Sequence, residues 1–215
     1  MKNLIDKIEV FKQNSIRIND GKKVIYVDPF ELNEALHDAS FILITHDHFD
    51  HYSPESIEKA ANCETVLVVP EKMLKKAEEV SKSVGRIIAV RPGTSNDIAG
   101  LNFETVPAYN ILNPFHPKSA EWVGYVLNVD GERVYIAGDT DATKEAKAVK
   151  CNAALIPIGG TYTMDALKAA ELANIICPDT VIPVHYGSIV GSPTDGEVFA
   201  ANVKEPVRVE FKIKF

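Results

Sequence analysis

Apolar and polar positions partly alternate in the first thirty residues, through Ile8-Glu9-Val10-Phe11 and Ser15-Ile16-Arg17-Ile18, with Val24-Ile25-Tyr26-Val27 after a hairpin signal at Asp20-Gly21. This predicts an opening antiparallel meander. The pattern then changes to short apolar runs separated by helical stretches: a strand at Phe41–Ile44, a helix at Pro54–Ala61, a strand at Thr65–Val69, a helix over Glu71–Lys82 and a strand at Arg86–Val90. Ser53 followed by Pro54 is a cap and first-turn signal for the first of these helices. His37 falls in a further apparent helix.

A second strand-rich block follows at Leu101–Val106, Val123–Val129 and Val134–Ala137, with Asp130-Gly131 as its hairpin turn. After it come a helix near Thr143–Lys150, a strand at Ala154–Ile158, a helix from Met164 to Ile176, a strand at Thr180–Val184 and a last helix–strand pair. Meander and alternation thus occur twice, without residue-level repetition. Two such halves, stacked sheet to sheet with helices outside, make an α+β protein: a four-layer αββα sandwich, expected to form one domain over residues 1–215. The stretch PAYNILNPFHPKSA, between Val106 and Glu121, has little periodicity, and long loops of this kind usually carry function.

The 215 residues are 46% hydrophobic, enough for a large core, and carry a formal charge of −7. Lys72, Lys75 and Lys76 are interleaved with Glu71, Glu78 and Glu79, which reads as a solvated helix face and counts against nucleic acid as a partner. Cys63, Cys151 and Cys177 lie far apart without CxxC spacing, so neither a disulfide framework nor a zinc–thiolate site is indicated, and structural thiols in a reducing compartment are expected. MKNLIDKIEV lacks the apolar core of a signal peptide, and no run approaches the ~20 apolar residues of a membrane helix. A cytoplasmic protein with no membrane partner is the expectation.

The candidate chemistry begins directly after the Phe41–Ile44 run, in ITHDHFDHYSPE. In extended chain, residues two apart share a side, so His46 and His48 can point at one cation. Asp50 and His51 fall at the turn into the next helix and can address a second position. Imidazole and carboxylate donors suit Zn²⁺, Mn²⁺ or Fe²⁺, and the lack of a neighbouring thiolate disfavours a purely structural zinc. The plain alternative is a His-rich surface turn that binds nothing. Two further strand ends add candidates: VYIAGDTD leaves Asp139 at a tip after Gly138, and TVIPVHYG leaves His185.

The set THDHFDH, AGDTD and PVHYG, preceded by VIYVDPF, resembles the metallo-β-lactamase-fold hydrolases, in particular the branch of ascorbate-6-phosphate lactonase-like and related metal-dependent hydrolases. The resemblance runs from about Ile8 to Phe215. It implies one metal position held by His46, His48 and a third histidine, another held by Asp50, His51 and His185, Asp139 bridging them, and Asp28 supporting the site from behind. One or two Zn²⁺ ions are implied, with Mn²⁺ or Fe²⁺ as alternatives. The chain departs from the family pattern twice. Asn110 stands where many relatives have a histidine, and Lys12-Gln13 stands where relatives often have Gly-His. His116, six residues past Asn110, is the expected substitute ligand.

Such a centre hydrolyses, and Asp50 is the candidate to orient the nucleophile or shuttle its proton. The expected substrate is a small anionic ester, lactone or phosphodiester; Asn110, Lys118, Tyr162 and Tyr186 lie beside the motifs, and Lys118 would suit an anionic group. A nuclease, a single-iron dioxygenase and a non-catalytic metal-binding or regulatory protein of the same fold are the competing readings.

Overall fold

Alternation at period two is what closes this fold, because one face of each strand meets the opposite sheet and the other meets a helix. The computed structural model describes residues 3–112 and 114–213; the terminal residues of the expected 1–215 span lie outside the described residues. One sheet runs β1 (Ile8–Val10), β2 (Ile16–Asn19), β3 (Val24–Val27), β4 (Phe41–Leu43), β5 (Val66–Pro70) and β6 (Arg86–Val90) in that spatial order. Its first three strands are antiparallel and β3 to β6 are parallel. The other sheet repeats the plan with β7 (Ser95–Ile98), β8 (Leu101–Pro107), β9 (Val123–Val129) and β10 (Glu132–Ile136) antiparallel, then β10 parallel to β11 (Ala153–Pro157), β12 (Thr180–Val184) and β13 (Arg208–Val209).

Val66 and Val68 of β5 face the inner core with Leu155, Ile182 and Val184 of the opposite sheet, while Leu67 and Val69 face out to Ile57 and Ala60 of α1 (Pro54–Ala60) and Ala77 of α2 (Leu74–Ala77). A short α3 (Lys144–Lys147) precedes β11. On the far side, Ala154, Ile156 and Val181 meet Ala169, Leu172 and Ala173 of α4 (Ala166–Ile176) and Phe199 of α5 (Asp195–Asn202). Each such aliphatic side chain contributes about 1.5–3 kcal/mol when fully buried. The result is the predicted αββα sandwich.

Three elements differ from expectation. β7, of sequence SNDI, has no apolar pattern because it is the outermost strand of its sheet and none of its residues is buried. The helix expected over Glu71–Lys82 is a broken series of 3-10 and α turns, although Met73, Ala77 and Val80 still reach the core. His37 is not helical: residues 33–37 are exposed and have no face to bury, and His37 has φ 48° with its Nδ1 2.8 Å from the Ala61 carbonyl.

Candidate metal centre

Five strands deliver the predicted residues from their carboxyl ends, β3 Asp28, β4 His46 to His51, β8 Asn110 and His116, β10 Asp139, and β12 His185, and β1 adds the Gln13–Asn14 turn. Rigid strands below and irregular chain above are the usual setting for chemistry. Gln13, Asp28 and His185 have φ of 53°, 46° and 58°, the left-handed region that non-glycine residues seldom occupy and that surrounding contacts must enforce. Gly138 has φ 63°, and a Cβ there would lie 3.1 Å from Thr45 Cβ, so a glycine lets Asp139 close against the His46 segment.

Asp28 is the anchor. Fully buried, it accepts hydrogen bonds from Thr45 N at 2.7 Å, Thr45 Oγ1 at 2.6 Å, Asn14 Nδ2 at 2.8 Å and His51 Nδ1 at 2.7 Å. With its hydroxyl proton committed to Asp28, Thr45 accepts from His46 Nδ1 at 2.9 Å. Asn110 plays the matching part for His116. Its Nδ2 donates to the Tyr162 carbonyl at 3.0 Å and to Asp141 at 3.3 Å, which turns Oδ1 to His116 Nδ1 at 3.0 Å. In His46, His51 and His116 the Nδ1 proton is therefore fixed outward and Nε2 is turned inward.

The inward atoms form two groups. Nitrogen atoms of His46, His48 and His116 lie within 4.8 Å of one another, and so do donor atoms of Asp50, His51 and His185. Asp139 stands between them: Oδ2 is 3.4 Å from His116 Nε2 and 3.9 Å from His46 Nε2, and Oδ1 is 3.4 Å from Nε2 of both His51 and His185. His116 thus comes into the first group, and Asn110 stands behind it.

The charges differ across Asp139. Burial and the neighbouring His51, His116 and His48 push the His46 imidazolium pKa well down, and burial with His116 lowers that of His48. Burial opposes a charged His51 too, but Asp139, Asp28 and Asp50 outweigh it and raise its pKa to about 9. Burial likewise opposes ionisation of Asp50 and Asp139, yet contacts with His185 and His51 hold both below the usual carboxylate range.

The residues fit a cation. The Nε2 atoms of His46 and His116 approach to 3.4 Å as acceptor against acceptor, an arrangement that repels unless positive charge lies between them. Asp139 Oδ1, which faces Nε2 of both His51 and His185, is buried without a hydrogen-bond partner, a cost of about 1–3 kcal/mol if left so. Imidazole and carboxylate without thiolate is a donor set for Zn²⁺, Mn²⁺ or Fe²⁺.

Several contributors had little signal in the sequence. Trp122, the sole tryptophan, packs against His46, His48 and His116 at ring distances of 5.0, 5.0 and 5.2 Å. Gln13, noted only as a departure from the family pattern, is fully buried; its carbonyl accepts from His185 N at 3.0 Å and its Nε2 lies 3.4 Å from Asp50 Oδ2. Its one sequence signal is the polar turn Gln13-Asn14-Ser15 between two apolar runs.

The substrate candidates are scattered. Lys118 is ion-paired to Glu145 at 2.9 Å over the Tyr109 ring. Tyr162 packs edge-on against Phe115 at 5.0 Å. Tyr186 is buried; it and Gln13 border a cavity of about 1100 Å³ reaching Leu32 and Leu36. Cys63 and Cys177 are exposed and Cys151 is half-buried, and all three are free thiols.

The chain belongs to the β-lactamase superfamily: the family described as Beta-lactamase superfamily domain matches residues 7–185. Within it, this chain is similar to the UPF0173 metal-dependent hydrolases and is one of this metal-dependent hydrolase family. It is 32% identical over 216 residues to the one from Aeropyrum pernix, covering 89% of this chain and 86% of that one. With the one from Methanosphaera stadtmanae it shares 31% over 220 residues, covering 94% and 92%. A solved protein from Parabacteroides distasonis superposes with a TM-score of 0.80 at 28% identity, covering 96% and 93%. Igni18 from Ignicoccus hospitalis, described as a novel metallo hydrolase, shares the fold with a TM-score of 0.74 at 22% identity, covering 95% and 93%.

Proposed function

We propose that the protein hydrolyses a small ester, lactone or related molecule at a two-cation centre, with His46, His48 and His116 holding one ion, Asp50, His51 and His185 the other, and Asp139 joining them. The observation that carries this reading is Asp139, whose two oxygens face the two groups separately. Cations held by these residues would supply a water acidified to a pKa of roughly 7 and would polarise the scissile oxygen. Asp50, held ionised and placed by Gln13 and His185, would orient the attacking water or shuttle its proton. Asp28 and Asn110 keep the rings in register from behind. Trp122 shields one side from solvent.

Zinc suits the donor set, with Mn²⁺ or Fe²⁺ as alternatives. A formal charge of −7 favours a small-molecule substrate over nucleic acid, and three free thiols suit a reducing, cytoplasmic setting. Among the described residues no helix is long and apolar enough to cross a membrane.

The test is metal analysis of the purified protein together with hydrolysis of lactones, esters, thioesters and phosphodiesters. Two equivalents of metal and turnover that Asp139→Ala abolishes are expected; a metal-loaded protein inert to every class would sink the reading.

A further inference from the structure

The three loops that bring the histidines together each expose a large apolar side chain close to a converging residue. Phe49, 66% exposed, lies between His48 and Asp50; Phe115, 55% exposed, directly precedes His116; Ile189, 42% exposed, follows His185 by four residues. Ile111 and Leu112, 60% and 94% exposed, extend the apolar surface along the loop between Asn110 and His116. Exposed apolar side chains are ordinary singly, but gathered beside a polar centre they mark a binding surface. Four basic side chains of the adjoining segments are engaged elsewhere, Lys118 with Glu145, Lys12 with Glu31, Lys76 with the Asp47 carbonyl and Lys72 with Glu121 and the Ser119 carbonyl, while Lys144 borders the same cavity as Ile111 and Leu112.

From this placement we infer that the substrate is an ester or lactone whose apolar chain lies over Phe49, Phe115, Ile111, Leu112 and Ile189 while its carbonyl enters the centre. The inference rests on the hydrolase reading above and narrows it. His48 is half-buried while the other histidines and both aspartates of the two groups are buried, so approach is from His48's side, beside Phe49. A protein seated permanently on these side chains would cover that approach, whereas a small molecule uses it.

Alkyl hydroxamates bind a metal through their headgroup and carry a tail of chosen length, so they read the surface independently of turnover. Titrating the metal-loaded protein calorimetrically with the acetyl to octanoyl series is expected to show Kd falling about two- to fourfold per added methylene. The double variant Leu112→Ser/Ile189→Ser flattens that slope, and Ile175→Ser, an exposed residue on α4, leaves it unchanged.

Equal affinity for acetyl and octanoyl hydroxamate, or a slope the double variant does not alter, overturns the inference. So does a dimer in sedimentation that Leu112→Ser/Ile189→Ser dissociates, which assigns the surface to a second copy. Esters of matching chain lengths separate the two readings. Turnover without a chain-length slope keeps the hydrolase and removes the apolar substrate, whereas a hydroxamate slope without turnover does the reverse.

Discussion

The groups on either side of Asp139 are built from different chemistry. His46, His48 and His116 are three imidazoles packed on Trp122, and burial holds two of them neutral. Asp50, His51 and His185 include a carboxylate, and His51 sits among Asp28, Asp50 and Asp139, which retain a proton on it to about pH 9. The first group presents ready lone pairs; the second is more negative but must release a proton before it can take a cation. Two positions that look equivalent by spacing therefore differ in what competes with the metal: solvation in the first, protons in the second.

Removing what the groups share should have the largest effect. Asp139→Ala is expected to lower metal content at both positions and cut hydrolysis by at least about 100-fold, since even a residue that only supports a ligand commonly costs 10–100-fold. Elemental analysis with steady-state rates checks this; loss at one position alone would refute the bridging role.

Breaking one group at a time comes next. His116→Ala should weaken only the first position, by about 10–100-fold, and reduce the change in Trp122 fluorescence on metal addition. His185→Ala should weaken the second and leave the fluorescence change in place. Unchanged stoichiometry and affinity at both positions in His116→Ala would remove that residue from the centre.

Per pH unit, the smallest effect is in pH dependence. His51 is raised from 6.5 to about 9, so in the metal-free protein its contribution to stability is fully present below 6.5 and is lost as pH rises through 9. A metal ion displaces that proton, so apparent affinity at the second position should rise by up to about tenfold per pH unit between 6.5 and 9 and then level off. The first position should be nearly flat there, because burial already keeps His46 and His48 neutral. Calorimetry in buffers of different ionisation enthalpy measures the released proton, and release at both positions would erase the contrast.

Period-two alternation with Asp-Gly turns was enough to read two half-sandwiches, since burial of alternate faces is a local property of each strand. β7 escaped because an edge strand of SNDI buries nothing, and the Glu71–Lys82 stretch because its good helix formers do not reveal where the backbone tightens. His46, His48, Asp50 and His51 were legible because one turn of chain carries them all, and Asp139 and His185 because strand ends announced them. Residue types and spacing thus determined the layers and the donor set.

Residue types and spacing did not say which donors face which: the resemblance implied the two groups, and only the tertiary structure decided how they meet. It brought His116 across from residue 46 by 70 positions, put Asn110 behind it, and seated Gln13 and Trp122 against rings far away in sequence. Those contacts depend on where separate loops end up above two packed sheets, and a distance across space leaves no periodicity along the chain for a sequence to display.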